Sequence, residues 1–206
     1  MEKQCVLVTG GAGYIGSHTA VELIAAGYDV VIADDLSNSD LRAVEGVRRI
    51  TGVEVPFEQV DCCDREALGR LFRQYRFDSV IHFAASKAVG ESVHEPLKYY
   101  RNNLTSFLNV VELMRATGRP NIVFSSSCTV YGEADAQPVT ERTPRKPATS
   151  PYGNTKQMCE DVLRDAVAAY EGLRGIALRY FNPIGAHPSA LIGEQPQGVP
   201  QNLVPY

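Results

Sequence analysis

The sequence predicts an α/β protein with a doubly wound, mostly parallel sheet that is covered by helices on both faces. Short, β-branched apolar runs alternate with longer amphipathic segments along the 206 residues. A glycine-rich turn joins the first apolar run to the first amphipathic segment. The elements follow each other as two βαβαβ halves, which is the order of a doubly wound sheet.

Each predicted strand is short and mostly apolar, as expected for strands that are buried on both faces. The predicted strands cover residues 4–8, 29–33, 54–60, 79–83, 121–125 and 175–179. The predicted helices between them cover residues 14–26, 40–51, 65–75, 97–117 and 151–170. Gly27 and Gly118 mark the ends of the first and fourth helices. Ser150 and Pro151 are the expected N-cap and first residue of the last helix.

The bulk composition excludes several classes of protein. A chain with 44% hydrophobic and 21% charged residues has enough apolar side chains for a globular core. The net charge of -4, with basic residues spread along the chain, argues against a nucleic-acid partner. No apolar run is long enough for a signal peptide or a membrane span, so we expect a cytoplasmic protein without a membrane partner. The five cysteines lack metal-ligand spacing, and no metal site is expected.

The glycine-rich turn predicts a dinucleotide-binding Rossmann domain. Gly11, Gly13 and Gly16 match G-x-G-x-x-G between a predicted strand and a predicted helix, and Gly10 extends the motif. Small residues at these positions let backbone N–H groups approach a pyrophosphate at the positive end of the helix. Asp34 ends the second predicted strand about twenty residues further on, where a carboxylate binds the adenosine ribose.

Asp34 also favours NAD over NADP as the cofactor. A carboxylate accepts hydrogen bonds from the 2′- and 3′-hydroxyls of the ribose and repels a 2′-phosphate. Asp35 adds a second negative charge, and no arginine stands beside it to bind a phosphate.

Tyr152 and Lys156 are candidate proton-transfer residues, because positions i and i+4 lie on one face of a helix. A free tyrosine has a pKa near ~10, so about one molecule in a thousand is phenolate at neutral pH. A cation about 4 Å away supplies stabilisation of the required order, roughly 4 kcal/mol. The spacing alone also fits an exposed helical pair, so its meaning depends on the other motifs.

Several stretches together resemble the extended short-chain dehydrogenase/reductase superfamily. They are YIGSH at 14–18, FAASKAVGES at 83–92, SSSCTVYG at 125–132, RYFNP at 179–183 and PQNL at 200–203. The resemblance extends over essentially the whole chain and includes Tyr152 and Lys156. Within that superfamily, it implies an enzyme that interconverts UDP-glucose and UDP-galactose by transient oxidation at C4 with bound NAD.

The resemblance also implies residue roles, with a UDP-hexose as the substrate partner. Tyr152 takes the proton of the sugar 4-hydroxyl, Lys156 holds the nicotinamide ribose and lowers the phenol pKa, and Ser127 binds the reacting oxygen. The implied cofactor contacts are Gly10, Gly13, Tyr14, Ile15, Gly16, Asp34, Asn38, Asp61, Cys62, Phe83, Ala84, Lys87, Asn102, Tyr152, Lys156 and Phe181. The implied substrate contacts are Ser127, Tyr152, Asn182 and Asn202. Tyr14, Phe83 and Asn102 also fit ordinary core or helix-surface positions.

Other functions fit parts of this sequence less well or equally well. A sugar-nucleotide 4,6-dehydratase needs an acid and a base where this chain has Cys128 and Thr129, which disfavours it. A nucleotide-sugar dehydrogenase or reductase shares the hydride step and stays open, as do uronic-acid and N-acetylated sugars as substrates. An isolated, non-catalytic NAD-binding module also stays open for the chain as given.

The chain is expected to divide into a Rossmann domain at residues 1–180 and the start of an incomplete substrate-binding region at 181–206. The second stretch is rich in proline and has no clear period, so the C-terminal substrate domain is expected to be truncated. The predicted helix at 97–117 is expected to cover the sheet, and whether it also pairs two copies as a homodimer is left open.

Overall fold

A computed structural model describes residues 3–195 of the chain. The strands are β1 (Cys5–Thr9), β2 (Asp29–Asp34), β3 (Phe57–Gln59), β4 (Ser79–His82), β5 (Asn121–Ser127) and β6 (Arg174–Tyr180). The helices are α1 (Tyr14–Ala25), α2 (Leu41–Thr51), α3 (Arg65–Gln74), α4 (Val89–His94), α5 (Pro96–Thr117) and α6 (Pro151–Ala169). A short 3₁₀ turn covers Cys128–Tyr131.

The sheet has six parallel strands in the order β3-β2-β1-β4-β5-β6. The predicted doubly wound α/β fold is thereby confirmed. Strands β1 to β3 are added towards one edge of the sheet, and strands β4 to β6 towards the other. The order therefore reverses between β1 and β4, and Val6 of β1 pairs with Val30 of β2 on one side and with Ser79 of β4 on the other. Ligands of such sheets bind at this switch point, beyond the carboxyl ends of the strands.

Two apolar layers hold the sheet between its helices. Leu7 of β1 faces a layer that includes Phe107 of α5 and Leu163 of α6. The neighbouring Val8 faces the other layer, which includes Val44 of α2. The alternation of side chains along a strand explains why these buried strands consist of unbroken apolar runs.

The structure corrects the predicted elements at three places. Helix α4 was not predicted, because six residues are too few to give a periodic pattern. The 3₁₀ turn at Cys128–Tyr131 lies between the predicted strand at 121–125 and the predicted helix at 151–170, where no element was predicted. Strand β3 is shorter than predicted, and Pro56 just before it accepts a hydrogen bond from Ile32 but has no N–H to donate.

Beyond β6, residues 181–195 contain no helix or strand and fold back onto the domain. The side chain of Ile192 is buried in the apolar layer of α1 and α2. A Cβ atom on Gly46 of α2 would overlap the carbonyl oxygen of Leu191, so the two segments are in close contact. The domain boundary expected at residue 180 stays a prediction. Within residues 3–195, no helix is long and apolar enough to cross a membrane.

Candidate active site

The glycine turn between β1 and α1 forms a cradle at the switch point. Gly10 has a φ of +68°, and a Cβ atom there would lie 2.7 Å from the backbone nitrogen of Ala84. A Cβ atom on Gly16 would overlap the carbonyl oxygen of Gly10, so only glycine lets α1 begin this close to the turn. Gly13 is the N-cap of α1 and supplies no side-chain cap. The first N–H groups of α1 therefore keep the partial positive charge that binds an anion.

Asp34 lies at the carboxyl end of β2 and holds the glycine turn in place. Its carboxylate accepts the N–H of Ala12 at 3.0 Å and the hydroxyl of Ser39 at 2.6 Å. It also accepts the N–H of Leu36 at 3.0 Å. Sequence reasoning assigned Asp34 only to the ribose and missed this second role. An ionised carboxylate has about four acceptor positions, which leaves room for a ribose hydroxyl.

Three of the predicted cofactor contacts lie beyond β2 and β3. Asn38 is exposed in the loop after β2, and Asp61 is exposed after β3, where it accepts the N–H of Cys63 at 2.7 Å. Cys62 is buried, and burial raises the pKa of its thiol. Asn109 of α5 donates to the carbonyl oxygen of Cys62 at 2.9 Å, which attaches the loop after β3 to α5.

The residues assigned beyond β4 lie on the opposite side of the crevice. Phe83 donates its N–H to Thr9 at 2.9 Å, which continues the sheet beyond the last paired residue of β4. Lys87 follows in the same loop and pairs with Glu194 at 3.1 Å. Asn102 of α5 donates to the hydroxyl of Ser86 at 3.2 Å, so it contacts the loop that carries Lys87.

Asn103 is a functional candidate that sequence reasoning missed. Its side chain is buried, accepts the N–H of Ser86 at 2.8 Å and donates to the hydroxyl of Thr155 at 3.0 Å. Thr155 in turn donates to the carbonyl oxygen of Tyr152 at 2.7 Å. One amide thus connects the loop of Lys87 to the first turn of α6. These contacts join distant parts of the sequence, so local patterns could not reveal them.

Helix α6 places Tyr152 at the carboxyl edge of the sheet. Ser150 is its N-cap and accepts the N–H of Gly153 at 3.1 Å, and Pro151 is its first residue, as predicted. Ser127 ends β5 at the same edge and is buried. Its hydroxyl oxygen accepts a hydrogen bond from the hydroxyl of Thr129 at 3.0 Å.

Lys156 lies one turn further along α6 and is only 3% exposed. Its ammonium group donates to the carbonyl oxygen of Ser125 at 2.7 Å and lies 5.7 Å from the ring centroid of Tyr152. Burial lowers the pKa of Lys156 to about 8. An ammonium group is thus held inside the protein beside the candidate base, although burial opposes its charge.

The net shift of the Tyr152 pKa is upward, whereas a lowering was expected from the sequence. Burial raises the pKa of Tyr152, and a hydrogen bond with Ser127 partly opposes that increase. The physical reason is that burial disfavours the phenolate, while the ammonium group of Lys156 is directed at a backbone carbonyl.

His82 adds a second buried group beside Lys156 that was not found from the sequence. It packs against the rings of Phe107 and Phe124, and its Nδ1 atom is 2.8 Å from the hydroxyl of Thr9. Burial, together with the charge of Lys156, lowers the pKa of His82 to about 3. The imidazole is therefore neutral at physiological pH and leaves Lys156 as the cation at this place.

Glu160 fixes the far side of α6, and it was also missed. Its carboxylate accepts the hydroxyl of Ser126 at 2.6 Å and the Nε and Nη2 donors of Arg179, at 2.9 and 2.8 Å. The bidentate pair joins α6 to β6, while Ser126 lies next to Ser127 on β5. These contacts set the position of Ser127 relative to Tyr152.

The remaining predicted contacts lie beyond β6 or outside the described residues. Phe181 and Asn182 follow β6 at the carboxyl edge of the sheet, and both are exposed. Tyr14 and Ile15 form the first turn of α1. Asn202 lies outside the residues that the structure describes.

A family model described as the NAD dependent epimerase/dehydratase family matches residues 6–205. Over 98% of its length, the chain is 55% identical to a UDP-glucose 4-epimerase of Neisseria meningitidis serogroup A and 54% identical to one of Bacillus subtilis. The chain spans 59% of the length of each of these two relatives.

Solved structures give the same result. A UDP-glucose 4-epimerase from Bifidobacterium longum in complex with NAD+ and UDP aligns with a TM-score of 0.95 at 48% identity, over 97% of this chain and 60% of that one. One from Stenotrophomonas with bound NAD and formylated UDP-arabinopyranose aligns with a TM-score of 0.93 at 49% identity, over 97% and 59%. The chain belongs to the NAD dependent epimerase/dehydratase family.

Proposed function

We propose that the protein is an NAD-dependent epimerase that interconverts UDP-glucose and UDP-galactose by transient oxidation at C4. The observation that carries this proposal is the placement of Tyr152, Ser127 and a buried Lys156 at the same sheet edge as the glycine turn. The names of the relatives and the ligands of the solved neighbours support it.

The residues at the switch point fit a bound dinucleotide. Gly10, Gly13 and Gly16 leave room at the uncapped end of α1 for a pyrophosphate, and Asp34 has an acceptor position left for a ribose hydroxyl. Lys87 and Asn102 would hold the cofactor from the opposite side of the crevice. When bound, NAD supplies hydride acceptance and hydride return at the sugar carbon.

The protein's own residues would move one proton and hold one oxygen. Tyr152 in its phenolate form takes the proton of the 4-hydroxyl and returns it after the keto sugar has presented its other face. Ser127 donates its hydroxyl to the same oxygen. Burial raises the pKa of Tyr152, and the positive charge of Lys156, 5.7 Å from the ring centroid, would act against that increase.

The arrangement around Ser127 disfavours a dehydratase. Elimination of water needs a second acid and base, but Thr129 uses its hydroxyl to bind Ser127. The adjacent Cys128 carries a thiol in place of a carboxylate.

Incubation of the protein with UDP-galactose and catalytic NAD tests the proposed function. We expect proton NMR to show conversion to UDP-glucose without accumulation of NADH. Conversion of the added NAD to NADH without formation of UDP-glucose would instead favour a dehydrogenase. Absence of turnover together with intact NADH binding would leave a non-catalytic NAD-binding module.

NAD is expected to bind at least about tenfold more tightly than NADP. Asp34 ends β2 and Asp35 follows it directly, so a 2′-phosphate bound near this strand end would meet two negative charges. Dissociation constants for the two reduced cofactors, measured by their fluorescence, check this expectation. Tighter binding of NADPH would contradict the assigned role of Asp34.

We further propose that two copies pair through α4 and α5. On these helices Val93 and Leu97 have exposed fractions of 58% and 75%, and Leu108 is a third exposed apolar side chain. Sedimentation equilibrium should show a dimer, and a monomer at all concentrations would refute the pairing.

We place the protein in the cytoplasm, where its five free cysteines would stay reduced.

A further inference from the structure

Residues 183–194 form a strap that crosses the N-terminal part of α1. The hydroxyl of Tyr14 donates to the carbonyl oxygen of Gly185 near the beginning of the strap. Near its other end, Ile192 is buried in the apolar layer beneath α1 and α2. The strap is therefore attached on the side of the crevice that carries the glycine turn.

Glu194 connects the strap to the opposite side of the crevice. Its side chain is 16% exposed, and its carboxylate lies 3.1 Å from the ammonium group of Lys87. Lys87 belongs to the loop after β4, whereas Tyr14 begins α1. The negative charge of Glu194 also helps to raise the pKa of Tyr14, after the larger effect of burial. Glu194 thus acts on groups from both halves of the sheet.

The charges at this place explain why the pair matters for an anionic ligand. A largely buried carboxylate beside a pyrophosphate site would repel the ligand unless a cation neutralised it. Lys87 provides that cation. The carboxylate of Glu194 also restricts the flexible side chain of Lys87 before a ligand binds. Lys87 then loses less conformational entropy when it contacts the ligand.

We propose that Glu194 is a positioning residue of the dinucleotide site, which holds Lys87 over the crevice and fastens the strap across it. This inference rests on the proposed function, because it takes Lys87 as a cofactor contact.

The change Glu194→Gln keeps the shape of the side chain and removes its charge. We expect the dissociation constant for NADH to rise about threefold, the effect of one partly exposed ion pair, with faster release of NADH. NADH fluorescence in titrations and in stopped-flow chase experiments measures both quantities. The matched control is Glu66→Gln, which makes the same charge change in an exposed pair with Arg70 at the same distance of 3.1 Å. It should leave NADH binding unchanged.

A double-mutant cycle tests whether Glu194 acts through Lys87. In the background of Lys87→Gln, the change Glu194→Gln should no longer weaken NADH binding. An equal loss in both backgrounds would overturn the inference. So would tighter NADH binding by the single variant, because the carboxylate would then act mainly by repulsion.

Amide hydrogen exchange without cofactor separates this inference from the proposed function. Failure of the unaltered protein to bind NADH would refute the proposed function by itself. In either case, Glu194→Gln should increase exchange in the strap relative to Glu66→Gln. Equal exchange in the two variants would overturn the claim that Glu194 fastens the strap.

Discussion

The variant Tyr152→Phe is expected to lower the turnover number by about 10³-fold, the usual size of a general acid–base contribution. Tyr152 belongs to the first turn of α6, which Ser150 and Pro151 begin. Removal of the phenol hydroxyl should therefore leave the start of this helix intact. The variant should therefore still bind NADH. Steady-state turnover of UDP-galactose and NADH titration measure the two effects separately.

Tyr28→Phe is a suitable control for this prediction. Tyr28 is partly exposed in the turn before β2, and removal of its hydroxyl should change neither turnover nor NADH binding. Normal turnover of Tyr152→Phe would remove Tyr152 as the base. A parallel loss of NADH binding would instead indicate a structural role for the phenol.

The variant Lys156→Met is expected to lose turnover and to gain stability. Replacement of a buried charge by an apolar side chain of similar length is often neutral or stabilising. The pKa of about 8, compared with 10.5 for an exposed lysine, corresponds to roughly 3 kcal/mol that burial costs the charged form. The carbonyl oxygen of Ser125 loses its hydrogen-bond donor in the variant, and this loss offsets about 1 kcal/mol of the gain in stability. Urea unfolding at neutral pH should show a net gain of about 2 kcal/mol.

The pH dependence of this gain has a definite sign. Between pH 8 and 10.5 the unfolded state binds the Lys156 proton more tightly than the folded state, so the stability of the unaltered protein rises with pH in that window. Lys156→Met lacks this rise, and its advantage should shrink as the pH increases. The neighbouring His82 and Cys159 stay neutral in most of this range, because burial lowers the pKa of the first to about 3 and raises that of the second to about 12. An advantage that did not change with pH would contradict a buried ammonium group.

The sequence predicted those parts of the molecule that local chemistry determines. The apolar runs predicted all six strands, and Ser150 with Pro151 predicted the start of α6. The glycine turn was predicted from the spacing of its three glycines between a strand and a helix. This spacing is the one that lets backbone N–H groups approach a pyrophosphate. Each of these features is determined within a few neighbouring residues.

Other parts depend on contacts between distant residues and could not be predicted. Asn103 joins the loop of Ser86 to Thr155 of α6, and Glu194 meets Lys87 across the crevice. The sign of the Tyr152 pKa shift was wrong for a related reason. It depends on burial and on the direction of one ammonium group, and neither follows from a spacing of four residues.

The central claim is that hydrogen leaves C4 and returns to it without exchange with water. UDP-galactose that carries deuterium at C4, incubated with the protein and NAD in ordinary water, tests this claim most directly. We predict that NMR of the UDP-glucose formed will show deuterium retained at C4, because the hydride travels to the cofactor and back. UDP-glucose with hydrogen from solvent at C4 would contradict the account.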